Sequence, residues 1–135
     1  MSFEFVVYGQ PQGKARHRTT KTGHTYTPAK TLKYEADVRA AFLQRYAGEQ
    51  PLDGPVYIRI CAEFEIPKSY SKARKAACIR GDELPCKKPD IDNIEKIIMD
   101  PLKGLAWRDD TQVVRTDASK TYARDAKVRV YISKY

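Results

Sequence analysis

The stretch VYIRICAEF, residues 56–64, alternates apolar and polar side chains with a period of two. This period is typical of a half-buried β-strand, in which successive side chains point to opposite faces of the sheet. Residues 3–8, FEFVVY, are rich in aromatic and β-branched side chains and predict another strand. Residues 28–47 carry apolar side chains at helical spacing and predict a helix between the two strands. One helix between two strands allows a right-handed crossover that leaves the strands parallel.

The second half of the chain predicts a further helix and two closing strands. Residues 92–105 have helical spacing, and Pro101 marks a kink or a restart because proline removes a helical hydrogen bond. Residues 112–120 and 127–131 predict strands. The order β-α-β-α-β-β predicts one small α+β domain over residues 1–135, with a mixed sheet flanked by helices.

Two polar segments of the chain, residues 9–28 and 67–89, predict long loops, the second with a short helical possibility at 70–79. Both coincide with basic regions. Residues 9–34 hold six Lys or Arg and no acid, and residues 66–88 hold seven against two acids, in a chain of net charge +8. A basic chain with its charge gathered in this way indicates a polyanionic partner such as nucleic acid.

The three cysteines are odd in number, and none of them forms a Cys-x-x-Cys pair. This argues against a disulfide framework and against a thiolate zinc site, and it favours reduced thiols in a cytoplasmic protein. No run of apolar residues approaches the roughly 18–20 needed to cross a membrane. The opening residues also lack the pattern of a secretory signal.

Two short stretches of the chain each hold closely spaced acids: KPDIDNIEK, residues 88–96, and WRDDTQVV, residues 107–114. Asp90 and Asp92 are expected at the start of a helix, where the helix dipole favours anions. Magnesium binds carboxylate oxygens while keeping several waters, so carboxylates converging from different segments are what it needs. Asp110, which arrives from a separate turn, is expected to complete such a cluster.

The other residues of the predicted helix fit this interpretation. Asp92 and Glu95 match a capping box, in which Asp92 begins the helix. Lys96 lies on the polar face with Asp92 and Asp100, where its charge could offset charge that develops on a phosphate. For phosphodiester cleavage a divalent metal activates water and stabilises the leaving oxygen.

Simpler interpretations exist for every one of these residues. Asp92 could be only a helix cap, and Lys96 could be an i,i+4 partner of Asp92 or Asp100. Residues 109–110 could form an ordinary surface turn. Trp107 is more often a core residue than a substrate contact. The occurrence of these acids together, within an otherwise basic chain, favours the metal-dependent interpretation.

These motifs resemble the signature of the RusA-type Holliday-junction resolvases. The resemblance rests on residues 88–96, Asp100 and residues 104–114, with further similarity in GQPQGKARHR at residues 9–18 and TYTP at residues 25–28. It extends from about residue 5 to 133. One departure is Pro101, which stands where a small helix-forming residue is expected and puts the geometry of the second half of the helix in question.

The resemblance implies a small homodimeric, Mg²⁺-dependent endonuclease of bacteria, phages or prophages that nicks opposed strands of four-way DNA junctions in recombination and repair. It implies that Asp90, Asp92 and Asp110 bind the metal and are catalytic together with Lys96. Asp109, the adjacent acid, is a further candidate for the metal, and Asn93 is expected to orient the site. Manganese is an alternative metal.

The DNA backbone is expected to lie against the basic segments. The cations assigned to this role from the sequence are Lys14, Arg16, Arg18, Lys21, Lys87 and Lys88. Two other functions stay open: a metal-dependent nuclease for other branched or flap DNA, and a DNA-binding protein that holds junctions without cutting them.

Overall fold

The computed structural model describes all residues, 1–135. It contains six strands and three helices. The strands are β1 (Ser2–Tyr8), β2 (Arg18–Thr19), β3 (Thr25–Tyr26), β4 (Val56–Glu65), β5 (Val113–Ala123) and β6 (Lys127–Lys134). The helices are α1 (Ala29–Tyr46), α2 (Lys72–Arg80) and α3 (Ile91–Met99), and two short 3₁₀ turns cover Asp100–Leu102 and Asp110–Gln112. The predicted α+β class is confirmed.

The main sheet is mixed and has the order β1-β6-β4-β5. Strand β6 pairs antiparallel with both β1 and β4, whereas β4 and β5 are parallel. Strand β4 is therefore central, and Tyr57 within it lies between Arg115 of β5 and Ser133 of β6. Residues 124–126 join β5 to β6 across the end of β4. Strands β1 and β4 run in the same direction, but β6 separates them.

One face of the sheet carries the core. The alternation in β4 places Ile58, Ile60 and Phe64 on the buried face, in the same hydrophobic cluster as the apolar residues of α1 and α3. Helix α1 packs through Phe42, whose ring lies 5.1 Å from that of Phe3 and meets it edge to face. The β4 residues on the opposite face are exposed or half-buried. The strand predicted from the period of two in residues 56–64, with one buried face, is therefore confirmed.

Several element boundaries differ from the sequence expectations. Helix α3 ends at Met99, and the 3₁₀ turn that follows contains Pro101, as the expected restart requires. The capping box predicted at Asp92 and Glu95 is wrong, because Asp90 is the N-cap and makes no side-chain hydrogen bond. Strands β2 and β3 form a small hairpin inside the first predicted loop. Helix α2, Lys72–Arg80, confirms the short helix that the sequence suggested at residues 70–79.

No helix of the chain is both long enough and apolar enough to cross a membrane.

Candidate active site

Helix α3 forms the floor of the candidate site because it is strongly amphipathic. Ile94, Ile97 and Ile98 are fully buried in the core. This anchorage turns the opposite face outward, where Asp92 and Lys96 are exposed. The apolar spacing of the helix therefore fixes the direction in which its polar side chains point.

A cleft of about 400 Å³ lies between the polar face of α3 and the beginning of β5. It is lined by Asp92, Glu95, Lys96, Met99, Asp100, Asp110, Val113 and Thr116. The structure thus brings together three of the four residues that the sequence predicted to be catalytic: Asp92, Lys96 and Asp110. We call this cleft the acidic cleft. Glu95, Asp100 and Thr116 are members that the sequence analysis did not assign to the site.

Asp90, the fourth predicted catalytic residue, lines a neighbouring cleft of about 420 Å³. This second cleft is formed by residues 13–15, Lys88, Pro89, Asp90 and Asn93. Asp90 is exposed and lies at the N-terminal end of α3, next to Asn93, the residue expected to orient the site. The two clefts therefore share α3.

Asp110 is held in place by Trp107. The indole Nε1–H of Trp107 donates a hydrogen bond of 2.8 Å to Oδ1 of Asp110. Trp107 is 0% exposed, so the donor is fixed by the core. The interpretation of Trp107 as a core residue is confirmed, and the contact adds a function to it. One carboxylate oxygen of Asp110 is therefore oriented by the protein, and the other makes no side-chain hydrogen bond.

Asp109 and Gln112 form a capping box around the turn at 110–112. Oδ1 of Asp109 accepts a hydrogen bond from the Thr111 amide at 3.0 Å, and the Asp109 amide donates to Gln112 Oε1 at 2.9 Å. The hydrogen bonds from Thr111 hold the pKa of Asp109 below its usual value. Asp109 thus has a structural role, while Asp110 beside it lines the acidic cleft.

The side chain of Gln112 also fastens this turn to the strand beside it. Its Nε2 donates to the carbonyl oxygens of Leu52 and Gly54 at 2.8 and 3.0 Å, just before β4 begins. The Asp-x-x-Gln spacing of the capping box is visible in the sequence and could have identified both Asp109 and Gln112 as turn residues.

The cations predicted to bind DNA have different surroundings. Arg16, Arg18, Lys21, Lys87 and Lys88 are exposed, and Lys88 lines the same cleft as Asp90. Lys14 differs from them because its Nζ lies 2.7 Å from Oε2 of Glu35 and 3.1 Å from Oδ2 of Asp100. Burial lowers the pKa of Lys14, but hydrogen bonds and charge interactions with Glu35 and Asp100 outweigh it, so the pKa is raised.

A separate cationic cleft of about 350 Å³ lies beside α2. Lys68, Lys75 and Arg124 line it with Ile66, Ala76 and Ile79, and no acid is among the lining residues. By contrast, Arg74 and Arg80 of the same helix are both paired with acids, at 2.9 Å. The sequence placed Lys68 and Lys75 in a basic segment but gave no sign that Arg124 joins them.

The acidic cleft suits a hard divalent cation. No three His, Cys, Asp or Glu side chains are grouped closely enough to hold a metal by themselves. Mg²⁺, however, is commonly held by one or two carboxylates together with waters and substrate phosphates. Asp92 and Asp110 provide two carboxylates in one cleft, and Trp107 orients the second of them. The donor set is therefore of the type that Mg²⁺ uses.

Comparison with known proteins agrees with the resemblance read from the motifs. The family model described as "Endodeoxyribonuclease RusA" matches residues 8–133. The chain is also similar to the "Uncharacterized protein YqaN" of Bacillus subtilis (strain 168), with 35% identity over 134 residues, which is 96% of this chain and 94% of that protein. The matched span includes both clefts, the capping box and all the predicted catalytic residues.

Proposed function

The chain belongs to the RusA family of endodeoxyribonucleases, and on this premise we propose that it resolves Holliday junctions by paired symmetric nicks in DNA recombination and repair. The observation that best supports the proposal is the meeting of Asp92, Lys96 and Asp110 in one cleft, although they come from a helix and a separate turn. We assign the reaction to the cytoplasm, where the DNA of a bacterium or prophage is located.

The proposed cofactor is Mg²⁺, with Mn²⁺ as a possible replacement. Asp92 and Asp110 would hold it in the acidic cleft, and Asp90 would contribute from the adjoining cleft. When bound, the metal would supply an activated water and stabilise negative charge at the cleaved phosphate. Asp92 and Asp110 suit metal binding because they come from separate segments of the chain and line one cleft.

The chain's own residues would orient and neutralise the reacting groups. Lys96 is an exposed ammonium in the acidic cleft and would stabilise the extra negative charge of the transition state. Trp107 fixes one oxygen of Asp110, so that the carboxylate need not reorganise during the reaction. Asn93 would orient the site from the first turn of α3.

Two sets of cations would bind the DNA backbone. The first is a group of exposed cations, of which Lys88 lines the cleft that holds Asp90; its members are Arg16, Arg18, Lys21, Lys87 and Lys88. The second is the cationic cleft beside α2. Thr116 of the acidic cleft lies in β5, and Arg124 of the cationic cleft directly follows that strand, eight residues on, which corresponds to roughly 25 Å of extended chain. Such a separation would allow contact with well-separated phosphates of one DNA arm.

We also propose that the protein acts as a homodimer. A four-way junction has near-twofold symmetry, and a twofold dimer presents two equivalent active sites to it. The family resemblance supports this assembly. Light scattering during size-exclusion chromatography tests it: a mass of twice 15.4 kDa is expected, and a monomer at all working concentrations would contradict it.

The experiment that tests the proposed function compares wild type with Asp92→Asn on a mobile four-way junction. Wild type is expected to make paired symmetric nicks in Mg²⁺ and to bind without cutting in EDTA. Asp92→Asn removes one metal-ligand charge at nearly constant shape, so it should still bind and should cut at least about a hundredfold more slowly. Asp37→Asn, an exposed acid on α1, is the matched control and should cut like wild type.

The substrates separate the alternatives. Faster cutting of flaps than of four-way junctions would indicate a nuclease for other branched DNA. Binding of the junction without cutting in either Mg²⁺ or Mn²⁺ would indicate a protein that only holds junctions. Equal rates for Asp92→Asn and wild type would contradict the metal assignment while leaving the nuclease activity in place.

A further inference from the structure

The backbone at Gly13 and Lys14 lies directly against the first turn of α3. The Lys14 amide donates a 2.9 Å hydrogen bond to the carbonyl oxygen of Asn93. A Cβ atom added at Gly13 would lie 2.6 Å from Cβ of Pro89 and 3.2 Å from Cβ of Asn93. The distance to Pro89 is closer than real Cβ atoms allow, and the distance to Asn93 is tighter than most real contacts, so glycine lets the backbone pack against the start of α3.

The side chain of Lys14 reaches the other end of the same helix. Its ammonium is 3.1 Å from Asp100, the residue that follows α3, and 2.7 Å from Glu35 of α1. Residues 13 and 14 therefore contact α3 at its first turn and at its C-terminal end, and also bind α1. We call residues 13 and 14 the strap.

Glu35 makes this arrangement more than a surface ion pair. It is 7% exposed, and a buried carboxylate is costly unless it is paired. Lys14 supplies the pairing charge from the loop, since it is the cation that lies within ion-pair distance of Glu35. Lys14 already faces two carboxylates, so it differs from the exposed cations of the same loop that are free to meet phosphate.

We propose that Lys14 is a positioning residue that acts through α3, and that it is not a contact of the DNA backbone. Asp92 and Lys96 belong to α3, and Asp100 lines the acidic cleft with them. By holding both ends of the helix, the strap would fix these side chains relative to Asp110, which is held independently by Trp107. The inference rests on the proposed nuclease function and reassigns the role that the sequence suggested for Lys14.

The test separates positioning from phosphate binding by salt dependence. Affinity for DNA falls as salt rises, and each lost phosphate contact makes the slope of log affinity against log salt shallower by about 0.9. A lower slope is thus a shallower one. Lys14→Gln is expected to keep the wild-type slope and to lower the single-turnover cutting rate at saturating junction by at least about tenfold. Lys21→Gln, an exposed cation of the same loop, is expected to lower the slope.

Glu35→Gln provides the sharper comparison, because removing an acid cannot remove a phosphate contact. Its cutting rate is expected to fall as in Lys14→Gln, with the slope unchanged. The double variant should be no slower than the slower single variant, since both changes break one unit. Lys33→Gln breaks an exposed ion pair on the same helix, 3.1 Å long, and should leave rate and slope at the wild-type values.

Gly13→Ala covers the case in which the charge variants fail to fold. It leaves every charge in place but pushes the strap away from α3, so the rate should fall while the slope stays unchanged. A wild-type rate together with a reduced slope in Lys14→Gln would overturn the inference and make Lys14 a phosphate contact. A wild-type protein that cuts no DNA would instead contradict the proposed function itself.

Discussion

Replacing Trp107 with phenylalanine removes one hydrogen-bond donor from the acidic cleft and keeps an aromatic ring in the core. The lost bond joins the indole N–H to the Asp110 carboxylate over 2.8 Å. Hydrogen bonds to charged groups contribute about 1.5–3 kcal/mol, and about 1.4 kcal/mol corresponds to a tenfold change in rate. If Asp110 acts as proposed, Trp107→Phe should therefore cut junctions roughly 10- to 100-fold more slowly.

The assay is single-turnover cleavage of a four-way junction with excess enzyme and saturating Mg²⁺. The free energy of unfolding must be measured alongside, because the smaller ring leaves a space and should cost about 1–2 kcal/mol. Phe42→Leu is the matched control. Phe42 is as deeply buried as Trp107 and packs on Phe3 and Phe5 beneath β1.

The two variants are expected to lose similar stability and to differ in rate, since only Trp107 donates to Asp110. A wild-type rate for Trp107→Phe would refute the idea that the indole orients a catalytic carboxylate. Equal slowing in both variants would refute it as well, because a general loosening of the core would then explain the effect.

Gln112→Ala loses four hydrogen bonds to backbone groups, so urea denaturation should show a loss of about 3 kcal/mol in the free energy of unfolding; an unchanged midpoint would contradict this role. Tyr34→Phe should raise the free energy of unfolding by about 1 kcal/mol in the same urea experiment, because the buried Tyr34 hydroxyl has no hydrogen-bond partner in the protein. Burial, and then the charge of Asp37, raise the pKa of Tyr34 above its usual 10. Above pH 10 the Tyr34 hydroxyl therefore ionises in the unfolded chain but not in the folded one, so wild-type stability should fall as pH rises, and Tyr34→Phe should show a flatter decline. Mutating all three cations of the cationic cleft to alanine should lower the salt slope of junction binding by about 2.5–3, measured by anisotropy; an unchanged slope would exclude this cleft as a DNA contact. The cations are Lys68, Lys75 and Arg124.

The sequence predicts those features of the fold that depend on local periodicity. The alternation in residues 56–64 and the apolar spacing at Ile94, Ile97 and Ile98 identify a strand and a helix face without knowledge of the partners. Strand order is different, because the position of β4 between β5 and β6 depends on pairing between residues about 50–80 positions apart. No local pattern encodes that choice.

The candidate site shows the same division. The acids of residues 90–110 could be singled out from their clustering in a basic chain, but the different roles of Asp109 and Asp110 depend on side-chain direction. The ion pair of Lys14 with Glu35 spans 21 positions and depends on where a loop crosses a helix. A list of basic residues cannot distinguish such an internal cation from one that faces solvent.

The strand order has a consequence for how the protein is made. Every pairing in the main sheet involves β5 or β6, the last two strands of the chain. A nascent chain that has emerged from the ribosome only as far as residue 112 contains all the catalytic residues and both basic segments, yet none of its main-sheet strands has a partner. We expect such a chain to lack a nuclease site, because α3 and the turn at Asp110 have no sheet to hold them together. The protein would therefore be unable to cut DNA until β5 and β6 have been synthesised.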